Sequence, residues 1–145
     1  MIIVADISAL VTAIDPSDPF FEAASEILQT ETLYISPLVM TELDHLVRRD
    51  FGYDYTAKVC EDLIEDLHDG RHQLAQITPE DFVTANRVRG MYSGLELDLA
   101  DTVGIALAAK YRTNRIFTLD QRDFRAIKPL TPAFDHFEIL PIDLR

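Results

Sequence analysis

Residues 2–8 read Ile-Ile-Val-Ala-Asp-Ile-Ser: four apolar residues in a row, an acid, then a helix-like pattern to residue 14. An unbroken apolar run does not alternate in and out, so it predicts a short strand covered on both faces, as in a parallel sheet between helices. The pattern repeats along the chain. Residues 33–35 predict a second strand, and Ser36-Pro37 supplies an N-cap and a first-turn proline for a helix to about residue 49. Phe51-Gly52 breaks that helix, and a long one is expected over 53–69, closed by Gly70. Further strands are expected at 73–76, 115–118 and 138–140. Helices are expected at 8–14, 18–29, 78–92 and 99–111, with one helical turn at 120–124. Strands separated by helices, with no hairpin signal between them, predict an α/β fold with a central parallel sheet.

The 145 residues are 48% apolar and 26% charged, which suits one globular domain spanning 1–145. Thirteen basic against 25 acidic side chains leave a net charge of −12, which excludes gripping nucleic acid through bulk positive charge. A single cysteine, Cys60, excludes a disulfide framework and Cys-rich zinc sites. It is expected to be a small buried apolar residue in a reducing, cytoplasmic compartment. The longest apolar or glycine run, 103–109, is far too short to span a bilayer. The N-terminus lacks a basic segment and Asp6 interrupts its apolar run, so no leader is expected.

In a parallel α/β sheet, ligands gather where strands end and the following helices begin. Four acids from separate segments map to that edge. Asp6 follows the first strand, Glu42 lies in the second turn of the helix after the second, Asp101 lies in the first turn of its helix, and Asp120 follows the strand at 115–118. Each also has a plain structural explanation. Asp6 and Asp120 could cap the next helix, and Asp98 with Asp101 could serve a helix start. Glu42 fits that explanation least. Its helical neighbours are Leu38, Val39, His45 and Leu46, so it stands on an apolar stripe with only His45 as an ionic partner. Four carboxylates at one edge repel one another unless a divalent cation holds them, and hard oxygen donors suit Mg²⁺ or Mn²⁺.

The segments Ile-Val-Ala-Asp6-Ile-Ser8-Ala-Leu and Ile-Ser-Pro-Leu-Val-Met-Thr-Glu42-Leu resemble the first half of a PIN domain. Leu-Asp-Leu-Ala-Asp101-Thr-Val-Gly-Ile-Ala-Leu-Ala and Ile-Phe-Thr118-Leu-Asp120-Gln-Arg-Asp123-Phe are similar to its second half. The closing Phe-Glu-Ile-Leu-Pro141 is similar to VapC-type toxins of bacterial toxin–antitoxin pairs. The resemblance implies a three-layer α/β/α fold and a metal-dependent endoribonuclease that hydrolyses RNA by metal-activated water. It implies metal-binding roles for Asp6, Glu42, Asp101 and Asp120, supporting roles for Ser8 and Thr118, and a peripheral one for Asp123. Many relatives carry an extra acid at the position of Gly94, for which Asp98 is a candidate substitute. The implied partners are RNA, an antitoxin and a second copy of the chain, with no membrane.

Charge is unevenly spread. Residues 1–47 hold eight acids and no Lys or Arg, whereas 110–128 hold six basic residues. Of these, Arg112, Arg115, Arg122 and Arg125 are candidates to flank an RNA backbone, or else form a solvated salt-bridged face. Two other functions remain open. One is an aspartyl-phosphate phosphatase with Asp6 as nucleophile, although Ser8 stands where that chemistry expects a second acid. The other is a non-catalytic RNA- or protein-binding module on the same fold. His45, His68, His72 and His136 share no edge and are expected to be structural or solvated.

Overall fold

A computed structural model describes residues 2–144. Strands β1 (Ile3–Ala5), β2 (Leu33–Ile35), β3 (Gln73–Leu74), β4 (Arg115–Phe117) and β5 (Glu138–Leu140) form one sheet, ordered β3-β2-β1-β4-β5, with every neighbouring pair parallel. The helices are α1 (Ile7–Ala13), α2 (Phe21–Thr30), α3 (Pro37–Phe51), α4 (Tyr53–Asp69), α5 (Pro79–Met91), α6 (Leu99–Lys110) and α7 (Gln121–Ala126). The expected α/β architecture is present.

Period-two alternation along the strands divides the interior into two cores. Ile3, Ala5, Leu33, Ile35, Phe117 and Leu140 turn toward α1 to α4. Val4, Ile116 and Ile139 turn the opposite way, toward α5, α6 and α7. The sheet is therefore the middle of three layers, covered on both faces except at the exposed edge strand β3. From β1 the chain builds outward to β2 and β3 through helices of one layer, then returns to β4 and β5 through helices of the other. Strand order thus reverses between β1 and β4, and the crevice at their carboxyl ends is the natural ligand position of such a sheet.

Local chemistry explains where the elements begin. Ser36 accepts the Leu38 N–H through its hydroxyl at 3.1 Å, and Pro37 opens α3 behind it. Asp81 accepts the Thr78 N–H at 2.8 Å and so fixes the start of α5. The Asp81 carboxylate also meets Lys110 at 2.9 Å, which ties α5 to α6. α2 starts at Phe21 and not at residue 18, because Asp18 closes a turn by accepting the Phe20 N–H at 2.8 Å across Pro19. β3 is shorter than expected, and residues Ser93–Leu95 form a 3₁₀ turn that no pattern announced. Cys60 is only half-buried on α4, with its Sγ 3.8 Å from Asp44, so the expectation of a buried apolar cysteine is corrected. No helix among the described residues is long and apolar enough to cross a membrane.

One buried titratable group supports the sheet far from the acids. His72 is fully buried, and its Nδ1 accepts the Leu33 N–H at 3.1 Å, where β2 begins. Burial pushes its pKa below the usual histidine range, opposed by Asp66 and reinforced by Arg71. Below the unfolded value near 6.5 the unfolded chain binds a proton that the folded chain refuses, so stability falls as pH falls through that window. The His72 contribution is therefore read as a difference: His72→Gln, which keeps an acceptor but does not titrate, should gain thermal stability relative to the parent as pH falls from about 7.5 to about 5.5. A difference between the two proteins that does not change over this interval would remove His72 from the pH dependence.

Candidate metal centre

Asp6 leaves the end of β1 with its backbone N–H bonded to Phe117 O at 2.9 Å, so it is anchored between β1 and β4. It occupies the N-cap position of α1, yet its side chain caps nothing. Its Oδ2 instead accepts from the Ser8 hydroxyl at 2.9 Å and the Thr118 hydroxyl at 2.7 Å. The same two hydroxyls receive backbone protons: Leu119 N–H reaches Ser8 Oγ and Asp120 N–H reaches Thr118 Oγ1, each at 3.0 Å. Ser8 and Thr118 also lie 3.0 Å apart, but each has one proton to give, and both are directed to the carboxylate. This clamp satisfies a buried acid with neutral donors and sets where the chain turns toward Asp120.

Asp98 and Asp101, three residues apart, separate cleanly. Asp98 is the N-cap of α6, and its Oδ1 accepts the Asp101 N–H at 2.8 Å. Asp101 turns inward, and its pKa is pushed up to about 9 by burial, by the charge of Asp6, by a hydrogen bond between these two carboxyls, and by Asp98 and Asp120. Asp120 caps α7 by accepting the Asp123 N–H at 3.0 Å. Glu42 is half-buried, and its Oε1 is buried without a hydrogen-bond partner. Burial raises its pKa, followed by the charges of Asp98 and Asp6. His45, its nearest ionic candidate in sequence, is exposed.

Asp123 is more than peripheral. Its Oδ1 is also buried and unpartnered, and burial, then Asp120, raises its pKa against a smaller opposing effect of Arg122. One oxygen each from Asp101, Asp120 and Asp123 lie within 4.8 Å of one another. The sequence signal for Asp123 was its place three residues after Asp120, in the first turn of α7. The group as a whole fits a divalent cation: every donor is a hard carboxylate oxygen, two are buried without hydrogen-bond partners, and burial with the charge of Asp6 raises the pKa of Asp101 to about 9.

The four arginines do not come together. Arg115 starts β4, at the opposite sheet edge, and pairs with Glu138 at 3.5 Å, while Arg112 lies in the turn between α6 and β4. Arg125 forms a two-pronged pair with Asp143. Only Arg122 lies at the carboxylate edge, 3.9 Å from Asp123 and largely exposed. A cavity of about 680 Å³ lined by Asn114, Arg125, His136 and Glu138 lies where β4 and β5 begin, away from the acids.

Comparison with known proteins follows the same geometry. The sequence profile of the PIN domain matches residues 3–129. Ribonuclease VapC26 of Mycobacterium tuberculosis is 33% identical over 138 residues, covering 94% of this chain and 98% of that protein. The crystal structure of VapC20 of Mycobacterium tuberculosis, described as a Sarcin-Ricin loop cleaving toxin, superposes with a TM-score of 0.73 at 14% identity, covering 84% of this chain and 92% of that one. VapBC2 from Rickettsia felis, solved bound to a DNA fragment from its promoter, gives 0.66 at 17% identity, over 96% and 98% of the two chains. The last two likenesses concern the fold, whereas profile and identity both run nearly the length of the sequence. The chain belongs to the PIN domain family.

Proposed function

We propose that the chain is a Mg²⁺- or Mn²⁺-dependent endoribonuclease acting in the cytoplasm as the toxin of a toxin–antitoxin pair. The observation that carries this is the convergence of carboxylates from four segments on the β1/β4 crevice, with the buried Glu42 Oε1 and Asp123 Oδ1 lacking a hydrogen-bond partner. The identity to a ribonuclease across 94% of the chain supports it. Asp6, Glu42, Asp101 and Asp120 are assigned to hold the ion, and Asp123 joins them. Asp98 gives one oxygen to the start of α6, as Asp120 gives one to α7, and its charge acts on Glu42, Asp101 and Asp123, so it stays the candidate for the place of the acid missing at Gly94. Ser8 and Thr118 orient Asp6.

When bound, a divalent ion supplies charge neutralisation at the phosphodiester and a water of lowered pKa. The protein supplies placement. Asp6 is held by two hydroxyl donors and cannot swing away. Asp101 keeps its proton until a cation replaces it, so loading the site releases protons and is favoured as pH rises. Without the ion the edge is anionic and repels RNA phosphate; Arg122 is the one arginine candidate placed to oppose that.

The acidic first third of the chain fits an Arg- or Lys-rich partner segment, as an antitoxin reaching the carboxylates would present. Self-association belongs to the same proposal, since Phe82, Val83 and Met91 leave apolar surface on α5.

Purified protein should cleave a structured RNA in Mg²⁺ or Mn²⁺ and stop in EDTA; undiminished cleavage in EDTA would sink the metal assignment. Asp101→Asn should lower the rate on the order of 10²-fold or more. The same variant should melt higher than the parent in EDTA. Above about pH 4 an unfolded Asp is ionised, whereas folded Asp101 holds its proton up to about 9. The folded state therefore binds the extra proton, parental stability falls as pH rises through that window, and the amide removes the slope. An Asp101→Asn protein with parental cleavage would take Asp101 out of the site. Co-expression with the product of an adjacent small gene should give a complex that survives purification and silences cleavage. Two proteins that separate at low salt would count against the pairing.

A further inference from the structure

The first 47 residues contain no Lys or Arg, and the first cations of the chain, Arg48 and Arg49, fall on α3, the helix that carries Glu42. Thr41, His45 and Arg48 are exposed and recur at helical spacing, so they form one ridge that begins beside Glu42. At 1.5 Å per residue, Arg48 lies about 9 Å further along the axis than Glu42. Of the acids nearby, Asp44 approaches Cys60 on α4 and Asp50 pairs with Arg49 at 2.8 Å, while Asp54 lies exposed in the first turn of α4 beside Tyr53. Arg48 has no carboxylate partner within salt-bridge distance among the described residues.

Its guanidinium instead lies 5.3 Å from the ring centroid of Tyr53. Gly52, at φ 85°, turns the chain between α3 and α4 and brings Tyr53 back toward Arg48. Tyr53 is 65% exposed. The neighbouring aromatics are engaged: Phe51 and Tyr55 pair at 5.1 Å, and Tyr55 donates its hydroxyl proton to Ile14 O. Tyr53 alone presents an open ring, already backed by a cation, at the end of a row of donors.

We propose that the α3 ridge from Glu42 to the Arg48–Tyr53 pair is a track for single-stranded RNA next to the phosphodiester held at the carboxylates. Tyr53 stacks a base, while His45 and Arg48 contact the backbone. This rests on the ribonuclease assignment and adds to it where the substrate strand runs. An exposed aromatic with a nearby cation is how single strands are held without sequence readout. Tyr and Arg are also enriched at protein interfaces, but Thr41 and His45 leave the row that joins them to Glu42 without the apolar centre such an interface is built around.

The test measures anisotropy of a fluorescein-labelled single-stranded uridine RNA of about ten nucleotides in Ca²⁺, which neutralises the anionic edge, beside cleavage of a structured RNA in Mg²⁺. Tyr53→Ala should weaken binding about tenfold and Arg48→Ala several-fold, while Tyr53→Phe, which keeps the ring, should bind like the parent. A blunt RNA duplex, whose bases are already stacked, should respond much less to Tyr53→Ala. The track is overturned if the parent does not bind the oligonucleotide, or if Tyr53→Ala and Arg48→Ala both bind it within about twofold of the parent. It is equally overturned if they change the sedimenting mass and leave RNA binding alone, which would make the tip a protein interface. Cleavage with unaltered variant binding removes the track and keeps the ribonuclease; variant-sensitive binding without any cleavage does the reverse.

Discussion

Two hydroxyl groups, on Ser8 and Thr118, determine what Asp6 can be, and through Asp6 they govern the whole carboxyl edge of the sheet. Asp6 is buried, and no cation among the described side chains forms a salt bridge with it. Neutral donors meet the need: they satisfy the charge without cancelling it, so its field still reaches Asp101 and Glu42. An arginine at either position would stabilise Asp6 more strongly and leave the site electrically neutral. The hydroxyls also accept the Leu119 and Asp120 amides, so the same atoms fix the path by which β4 delivers the next acid.

Around that clamp the edge is stable only in part. Asp120 and Asp98 each give an oxygen to a helix start, which offsets some of the cost of placing acids together. Asp101, Glu42 and Asp123 have no such outlet, and their raised pKa values record unrelieved burial and repulsion. Strain of this kind belongs at functional sites, where a ligand removes it. Away from this edge, the described residues hold one comparable conflict, the buried His72 Nε2 without a hydrogen-bond partner beside the start of β2.

Most of the fold was legible because its signals are local. The apolar run before Asp6, the prolines at Pro37 and Pro79, and Gly52 and Gly70 act within a few residues, and the elements they mark formed where expected. The carboxylates could be read because each sits at a strand end or in the opening turns of a helix, positions that topology sends to one edge. What escaped depends on longer range. Asp123 joins the group because Asp120 caps α7 and thereby sets the direction of that turn. The arginines of 110–128 looked like a cluster in sequence, but β4 carries the chain across the sheet, so Arg115 and Arg122 end up on opposite edges. Cys60 follows the periodicity of α4, but a helix stripe does not say how completely a neighbour covers it.

The pairing of β1 with β4 has a consequence for how the protein is made. Asp6 and Thr118 are 112 residues apart and share one hydrogen bond, and Asp120 and Asp123 come later still. A ribosome releases the chain from its N-terminus, so β1, α1 to α4 and β2 emerge long before the strand that completes the crevice. Until β4 docks, Asp6 has Ser8 but not Thr118 as a donor, Asp120 and Asp123 are absent from the edge, and any fragment ending short of β4 carries an open edge beside β1. Assembly is deferred to the last fifth of synthesis by contact order alone. A chain that stops short of β4 lacks Thr118, Asp120 and Asp123 and so cannot form the finished crevice.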